Sequence, residues 1–263
     1  MTGKRTQQAP VSVVNDLRLA DLAVALAAGW RDFRAHPTFG LFFASFYVAA
    51  GLFLYVALYQ WGEVAWLVPA AAGFPLLAPF IAVGLYDVSR RHERGDAMQW
   101  RAILAALRGR DDDQVLMMGG FVFVGFTFWI ILAHGIFAIF LVESGMGSES
   151  MAFLSSDAGV MMLLVGSAVG AVMALVFYAI TVISLPMLVD REVDFLSAII
   201  VSVSAVRTNP GVMIIWGAVI AVSLFVAMLP FFLGLFLVLP VLGHATWHLY
   251  RRVVRGQEVG FGI

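Results

Sequence analysis

The chain has no cysteine among its 263 residues. This absence excludes disulfides, thiolate nucleophiles and sulfur-ligated metals or clusters. Lysine is nearly absent too, since Lys4 is the one lysine among sixteen basic residues. Charged residues make up only 13 % of the chain, whereas apolar residues make up 62 % and the mean hydropathy is +0.93. This composition is typical of a membrane protein and leaves no room for a separate soluble catalytic domain.

Five stretches contain no Asp, Glu, Lys or Arg at all, and they predict the membrane-spanning segments. A spanning helix needs about 20 apolar residues. The first four stretches therefore predict one span each, and the fifth, which is twice as long and has Pro230 near its middle, predicts two. The stretches are 39–58, 64–86, 115–142, 158–189 and 211–250.

The charges sort by side once six spans are assigned. Every lysine and arginine falls in the segments 4–34, 90–110, 191–207 and 251–255, which share one side. Basic residues in short loops are retained in the cytoplasm, so we expect both termini to be cytoplasmic. The preference for Arg over Lys, with abundant Ala and Val, is typical of a GC-rich bacterial genome, so we expect the bacterial inner membrane. Basic residues beside a membrane favour anionic lipids as partners rather than nucleic acid. The opposite side carries acidic residues alone: Glu63, Glu143, Glu149 and Asp157.

Three shorter segments combine charges with large apolar residues at steps of three and four, which is typical of a helix with one apolar face. Each is too short and too charged to span, so we expect helices lying in the cytoplasmic interface. The second begins with a capping-box pair, Asp96 and Gln99. In segment 17–34 the predicted face is Leu19, Leu22, Leu26, Trp30 and Phe33. In segment 96–109 it is Trp100, Ile103, Leu104 and Leu107. In segment 193–207 it is Leu196, Ile199, Ile200, Val203 and Val206.

Each amphipathic segment precedes a predicted two-span hairpin, and this recurrence predicts an internal repeat. The second span of each hairpin has a proline near its cytoplasmic end, at Pro79, Pro186 and Pro240. Proline removes a backbone hydrogen bond and kinks a helix. The predicted fold is an all-α polytopic membrane protein with six transmembrane helices arranged as three hairpins with pseudo-threefold symmetry. The repeat units are 17–90, 96–190 and 193–252, within a single domain, 15–255, between a disordered cytoplasmic tail, 1–14, and a cytoplasmic C-terminal tail, 256–263.

Three histidines lie within the charge-free stretches and raise the question of a metal or haem site. His244 and His248 are four residues apart, so they share a helix face and are weak candidate metal ligands. Two ligands on one face cannot bracket a porphyrin, and His134 is predicted near the opposite side of the membrane. We therefore expect no cofactor, no haem and no redox metal. His244 and His248 are predicted as an interfacial anchor beside Trp247 and Tyr250, and His134 as a hydrogen-bond partner of a neighbouring helix.

Two clusters of charged residues lie at the cytoplasmic ends of predicted spans. Asp111, Asp112 and Asp113 could attract Mg²⁺ or Ca²⁺, although carboxylates at this position favour the start of a helix. Asp190 and Arg191, which with Glu192 and Asp194 follow the Pro186 kink, are expected to pair with the arginines after the second and sixth spans. This pairing would close the cytoplasmic face.

Two further sets of residues are candidates for contacts with lipid or with other helices. The first set, Arg90, Arg91, Arg251 and Arg252, could form a lipid-headgroup pocket. The second is a stripe of small residues at four-residue spacing, which lets helix backbones approach closely and predicts a packing face within the bundle. Its members are Gly166, Gly170 and Ala174.

The sequence around the fourth and fifth predicted spans resembles a bacterial family of predicted integral membrane proteins, DUF2189. The resemblance lies in the run from Leu185 to Arg191, in Ser197 and Ala198, in the run from Arg207 to Pro210, and in Trp216. It implies a match over most of the chain from about residue 20. Members are often labelled as cytochrome c oxidase subunit I-like, but the resemblance implies no established activity or catalytic residues.

No pair of nucleophile and base, phosphate loop or metalloprotease motif occurs in the sequence. The leading hypothesis is therefore a non-enzymatic membrane protein with a structural, assembly or lipid-organising role. Its expected partners are membrane lipids and, as a second class, another membrane protein or complex. One alternative is a small transporter or channel for an apolar or zwitterionic solute. A second is a haem-binding subunit associated with a respiratory oxidase, which would depend on His244 and His248.

Overall fold

The computed structural model describes residues 12–61, 70, 73, 78–107, 114–144 and 151–255. Helices account for nearly all of these residues, and two short strands pair near the two ends of the chain. The elements in order are β1 (Ser12–Val13), α1 (Leu19–Ala35), α2 (Pro37–Trp61), α3 (Ala78–Arg94), α4 (Trp100–Ala106), α5 (Gln114–Ser144), α6 (Met151–Leu154), α7 (Asp157–Thr181), α8 (Ser184–Asp190), α9 (Phe195–Thr208), α10 (Pro210–Met228), α11 (Leu235–Val253) and β2 (Val254–Arg255).

Among the described residues, four helical segments are long and apolar enough to cross a membrane. They are Pro37–Trp61, Gln114–Val142, Asp157–Asp190 and Pro210–Met228, the third of which includes both α7 and α8. They correspond to the first, third, fourth and fifth predicted spans, so the prediction of an all-α membrane protein is confirmed. The second and sixth predicted spans correspond to α3 and α11, which both end in arginines and histidines. Most of the first half of the second predicted span lies outside the described residues.

The C-terminal helix α11 is the centre of the packing, because α1, α2 and α3 all contact it. The helix α1 runs antiparallel to the second half of α11. Arg252 of α11 binds Asp21 near the start of α1, and His248 binds Asp32 near its end. Between these contacts, Gly29 lies against the backbone of α11: a Cβ there would be 2.5 Å from the nitrogen of Ala245.

The large apolar residues of the predicted stripes in α1 and α9 are partly exposed, and small residues form much of the buried faces. In α1 the small residues Ala25, Ala28 and Gly29 are buried, whereas Leu19 and Trp30 are exposed. Lipid is as apolar as leucine, so large apolar side chains gain little by leaving it, and small residues instead allow close helix contact. The predicted apolar stripes therefore lie partly on the outside of the protein, and small residues make much of the contact with neighbouring helices. In α9 the buried residues are Ala198, Ser202 and Ala205, while Leu196 and Ile200 are exposed.

The start of α4 also differs from the prediction. Gly95 has φ = +71°, a left-handed conformation that ends α3, and Asp96 N–H then bonds back to the carbonyl of Arg91. This arrangement is a typical glycine helix C-terminus. Gln99 is the N-cap of α4 and makes no side-chain cap hydrogen bond, so the predicted capping box of Asp96 and Gln99 is wrong.

The helical segment before Pro186 is interrupted between α7 and α8, as the predicted kink requires. The amide of Ile183 donates to Ser202 Oγ of α9 at 3.1 Å, and this hydroxyl donates to the carbonyl of Ala179 at 2.7 Å. A neighbouring helix thus satisfies backbone groups left free at the break. By contrast, α11 continues through Pro240.

The segments near the two ends of the chain bind each other. Ser12 and Val13 pair antiparallel with Arg255 and Val254. Residues 12–14 are therefore ordered, contrary to the prediction of a disordered tail over 1–14; the remainder of that tail and the predicted tail 256–263 lie outside the described residues. Asn209, between α9 and α10, joins this region by donating its side-chain amide to the carbonyl of Val14 at 2.7 Å.

Candidate functional site at the ends of α1, α3 and α11

Four of the five histidines gather around one carboxylate where α1, α3 and α11 meet. Asp32 of α1 is 4 % exposed. It accepts hydrogen bonds from Ser89 Oγ at 2.7 Å and from His248 Nε2 at 2.8 Å. His92 Nε2 lies 3.9 Å from the second carboxylate oxygen. The remaining two members are His36 and His244, and we call the whole set of six residues the histidine cluster.

The hydrogen bonds of the histidine cluster define one proton arrangement. Ser89 has a single hydroxyl proton, which it donates to Asp32. The Ser89 oxygen must therefore accept from His244 Nδ1, 2.7 Å away. His244 is fully buried, and its Nε2 makes no hydrogen bond in the part of the chain that the structure describes. His36 Nε2 and His92 Nδ1 are 3.0 Å apart, so one of these two rings must be neutral for the bond to exist.

The electrostatics of the cluster favour a charged Asp32 and a neutral His36. Burial acts to raise the pKa of Asp32, but the hydrogen bonds from His248 and Ser89 and the nearby histidine charges outweigh it, so the pKa lies below its ordinary value. Burial, followed by the charge of His92, lowers the pKa of His36. The cluster is thus a proton-binding network that joins three helices.

Serine, histidine and aspartate are also the residue types of a catalytic triad, but here the hydrogen bonds connect them in a different order. In a triad the serine donates to the histidine, whereas Ser89 donates to Asp32. Ser89 is fully buried, so no substrate can reach its hydroxyl. The arrangement therefore binds helices together and does not form a nucleophile.

The sequence predicted part of this cluster. His244 and His248 do share a helix face, as their spacing required. The predicted interfacial anchor is wrong for His244, because that side chain is fully buried rather than at a surface. His36, His92, Asp32 and Ser89 were missed, because their separation in the chain gives no local pattern; the one available signal was the presence of polar residues within otherwise apolar helices.

Metal binding finds no support in the arrangement of the described residues. No group of three or more His, Asp or Glu among them is placed to hold a metal ion. His244 and His248, the candidate ligands, direct different ring nitrogens to different partners. The absence of haem and redox metal stays a prediction, as does the hydrogen bond of His134, which lies half-buried in α5. Asp111, Asp112 and Asp113 lie outside the described residues.

Asp190, at the end of α8, connects the ends of α3 and α11. Its carboxylate accepts from Arg94 at 2.9 Å, from the Tyr250 hydroxyl at 2.9 Å and from Arg251 at 3.2 Å. Glu93 reinforces this contact by accepting from Arg251 and from the indole of Trp247. The predicted pairing of Asp190 with the charged residues after the second and sixth spans is therefore present.

The four arginines predicted to form one lipid-headgroup pocket lie in separate places. Arg90 and Arg91 both bind the buried carboxylate of Asp87. They line a cavity of about 360 Å³ between α3, α4, α5 and α8. Arg251 and Arg252 lie apart from this cavity. Arg251 pairs with Glu93 and Asp190, and Arg252 pairs with Asp16 and Asp21.

The small-residue stripe of α7 makes fewer contacts than predicted. A Cβ at Gly170 would lie 3.0 Å from the ring of Trp129 of α5, so this glycine does pack against a neighbouring helix. Gly166 has no such neighbour within 4 Å among the described residues, and Ala174 is exposed. The stripe thus contributes one close contact rather than a continuous face.

The apolar helices and the charged layer at their ends define an integral membrane protein of the multi-pass, all-helical class. Residues 67–190 match the family described as predicted integral membrane protein, DUF2189. The resemblance inferred from the sequence is thus confirmed, over less than half of the chain. The match ends before Ser197, Arg207 and Trp216, so the expected extent was too large. No curated protein and no solved structure matches the chain.

Proposed function

We propose that this protein is a non-enzymatic organiser of anionic lipids at the cytoplasmic face of a bacterial inner membrane. One observation carries the proposal. Each of the three short helices α1, α4 and α9 presents exposed large apolar side chains beside an arginine that pairs with no described residue. Such helices bind at the headgroup boundary by inserting their apolar residues while their cations attract anionic headgroups.

The unpartnered arginines are distinct from those that hold the fold together. All four are exposed, and their side chains make no ion pair or hydrogen bond within the described ranges; they are Arg31 and Arg34 of α1, Arg101 of α4 and Arg207 of α9. The neighbouring apolar side chains are also exposed: Trp30 by 43 %, Trp100 by 38 % and Ile200 by 61 %. Arginines near an anionic membrane contribute about 1 kcal/mol each, so four of them favour anionic lipid strongly.

The non-enzymatic part of the proposal is supported by the placement of the polar residues. The buried polar groups of the described helices are engaged mainly with one another, as in the histidine cluster and in the Asp87 ion pairs. A catalytic site needs a reactive group that a substrate can approach. Ser89 and Asp87 are both fully buried, which leaves no approach to either.

We also propose that the chain crosses the membrane six times. Two contacts support this topology. His36 precedes α2 and binds His92 at the end of α3, so a chain that leaves through α2 must return before His92. Asn209 precedes α10, Val253 ends α11, and both bind the backbone of Val14. A chain that leaves through α10 must therefore return through α11.

The lipid proposal is tested by reconstituting the full-length protein into nanodiscs that contain phosphatidylcholine and phosphatidylglycerol. Lipids retained after partial delipidation would be counted by native mass spectrometry. We expect phosphatidylglycerol to be enriched over its share of the mixture. The enrichment should fall to the bulk ratio in a variant that carries R31Q, R34Q, R101Q and R207Q, because this variant removes charges that no described residue of the protein pairs with.

A matched control replaces arginines that bind protein carboxylates. R94Q and R252Q should retain lipid enrichment while lowering the thermal midpoint, since these side chains pair with Asp190, Asp16 and Asp21. Equal retention of both lipids by the unaltered protein would refute the proposal. Uptake of a zwitterionic solute into protein-containing vesicles, without lipid enrichment, would instead favour the transporter alternative.

A further inference from the structure

The cavity beside Arg90 and Arg91 has two kinds of wall. Arg90 and Arg91 are the charged residues that line it. The other lining residues are apolar and include Ala102 and Ala105 of α4, Val115 of α5 and Leu188 of α8. Its volume of about 360 Å³ falls within the range of about 300–1,000 Å³ that is usual for small-molecule sites. A site lined by cations together with apolar side chains suits an anionic group attached to a less polar molecule.

Arg90 has a donor that no part of the described protein satisfies. One terminal nitrogen of its guanidinium donates to the Val189 carbonyl at 2.9 Å, and the other binds Asp87. Its Nε is buried and makes no hydrogen bond among the described residues. A buried N–H without an acceptor is rare in folded proteins and costs stability. This buried N–H is out of reach of a ligand, so the donor that can reach one is on Arg91, whose second terminal nitrogen makes no hydrogen bond among the described residues.

The local charge favours an anion as that acceptor. Asp87 is fully buried and is shared by both arginines. Its single negative charge compensates only one of the two guanidinium charges, so these three described residues together carry one net positive charge. Arg91 is held by Asp87 through its Nε and by the Ala97 carbonyl through one terminal nitrogen. Both cations are thus positioned before any ligand arrives, which reduces the entropy lost on binding.

We infer that this cavity binds a phosphate group, carried either by a phospholipid headgroup or by a small soluble phosphate compound. Arginine forks match the geometry of phosphate oxygens, and the alanines of α4 leave room for the glycerol or other carbon skeleton attached to the phosphate. The inference deepens the proposed lipid-binding function by naming a discrete site. It rests on that function for the position of the cavity at headgroup level.

The test measures binding to the full-length, delipidated protein in detergent by isothermal titration calorimetry. The two probes are inorganic phosphate and dihexanoyl phosphatidylglycerol, a short-chain phospholipid. We expect saturable binding of at least one probe. Binding of the phospholipid alone identifies a lipid headgroup as the source, whereas comparable binding of inorganic phosphate identifies a soluble phosphate compound. Absence of saturable binding by both probes would overturn the inference.

Two variants locate the binding. Ala105→Leu fills the cavity while keeping both arginines, and Arg91→Gln removes one charge without touching the contact between Arg90 and Val189. Each should weaken binding by about tenfold or more, as expected for losing a hydrogen bond to a charged group. Ala27→Leu, at an exposed alanine of α1, and Arg94→Gln, one turn beyond Arg90, are the matched controls and should bind as the unaltered protein does.

The results for these variants distinguish failure of this inference from failure of the proposed function. If Ala105→Leu binds the probe as tightly as the unaltered protein does, the cavity is not the site and the inference fails. Filling the cavity in Ala105→Leu should remove only a phosphatidylglycerol bound there, so the enrichment that depends on Arg31, Arg34, Arg101 and Arg207 should persist in that variant. Loss of that enrichment in the four-arginine variant, with cavity binding intact, shows that the two sites are independent.

Discussion

Gly29 sets the distance between α1 and α11. A Cβ at this position would lie 2.5 Å from the Ala245 nitrogen and 2.6 Å from the Val241 carbonyl oxygen. Both are backbone atoms of α11, so no side chain can rotate away to make room. Glycine is required here because the backbones of α1 and α11 approach closely, and not because this residue has an unusual φ.

We therefore predict that Gly29→Ala lowers the free energy of unfolding by about 1–3 kcal/mol, the usual cost of overpacking. The control is Gly135→Ala in α5, where a Cβ meets no atom of the described residues within 4 Å. That change should be neutral or stabilise by up to about 1 kcal/mol, because alanine favours helix. Unfolding of the detergent-solubilised protein in denaturant provides the measurement, and equal stability of the two variants would contradict the close contact.

Ser89 is the residue on which two other members of the histidine cluster depend. It donates to Asp32 and accepts from His244. We predict that Ser89→Ala costs about 1–3 kcal/mol, because it leaves a buried donor and a buried acceptor with fewer partners. Ser45→Ala is the matched control, since that hydroxyl donates only to the Phe42 carbonyl of its own helix. A smaller loss in S89A than in S45A, measured by the same unfolding assay, would show that the cluster does not stabilise the fold.

At the scale of elements, the periodicity of large apolar residues correctly located α1, α4 and α9. It left open whether each apolar stripe faces the membrane or the helix bundle. In α9, Leu196 and Ile200 of the stripe are exposed, whereas Ala198 and Ala205 are fully buried. Periodicity measures where apolar residues lie, and in a membrane that direction is not necessarily inward. Polar or small residues in such a helix, such as Ser202, are the better guide to its contacts.

The contact between α1 and α3 should weaken in acid. The pKa of His36 is lowered by burial and by the charge of His92, so the folded state resists protonation of this ring more than the unfolded chain does. Its contribution to stability is then complete above the ordinary histidine pKa of 6.5 and declines as the pH falls below it. The other titratable groups at this contact are Asp32, His244 and His248. Asp32, whose pKa is lowered from 3.8, loses its contribution only below that value.

We predict that the thermal midpoint falls between about pH 7.5 and about pH 5, the range over which histidine gains its proton. The fall should be smaller in His36→Gln, which keeps a hydrogen-bonding group but cannot be protonated. His134→Gln, in α5 and outside the cluster, serves as the control and should leave the pH dependence unchanged. An identical pH dependence in His36→Gln and the unaltered protein would exclude His36 as its source.

At the scale of the whole molecule, the proposed six crossings make a prediction that single-cysteine labelling can test. The chain has no native cysteine, so each introduced thiol is unique. A membrane-impermeant maleimide applied to intact cells should label Gln60→Cys and Ser155→Cys. It should label Ala97→Cys and Thr208→Cys only after permeabilisation. If only the four longest helices crossed, the last three positions would show the reverse pattern.

The one-sided arginines were enough to predict a polytopic topology, because the positive-inside rule acts on short loops irrespective of how the helices pack. The histidine cluster was not predictable in the same way. His248 and Asp32 are 216 positions apart in the chain, and no local pattern couples them. The four-residue spacing of His244 and His248 predicted a shared face, but the identity of its partner on α1 depends on the tertiary fold.

The packing of α1 against α11 also has a consequence for the order of synthesis. Ribosomes add about 5–20 residues per second, so the 216 residues between Asp32 and His248 take roughly 10–40 s to appear. During this interval α1 is already made, with Gly29 and Asp32 on a face whose partner does not yet exist. A chain that stops before α11 never covers that face. We therefore expect truncated products to be recognised by proteases and chaperones through α1, at the opposite end of the protein from the defect.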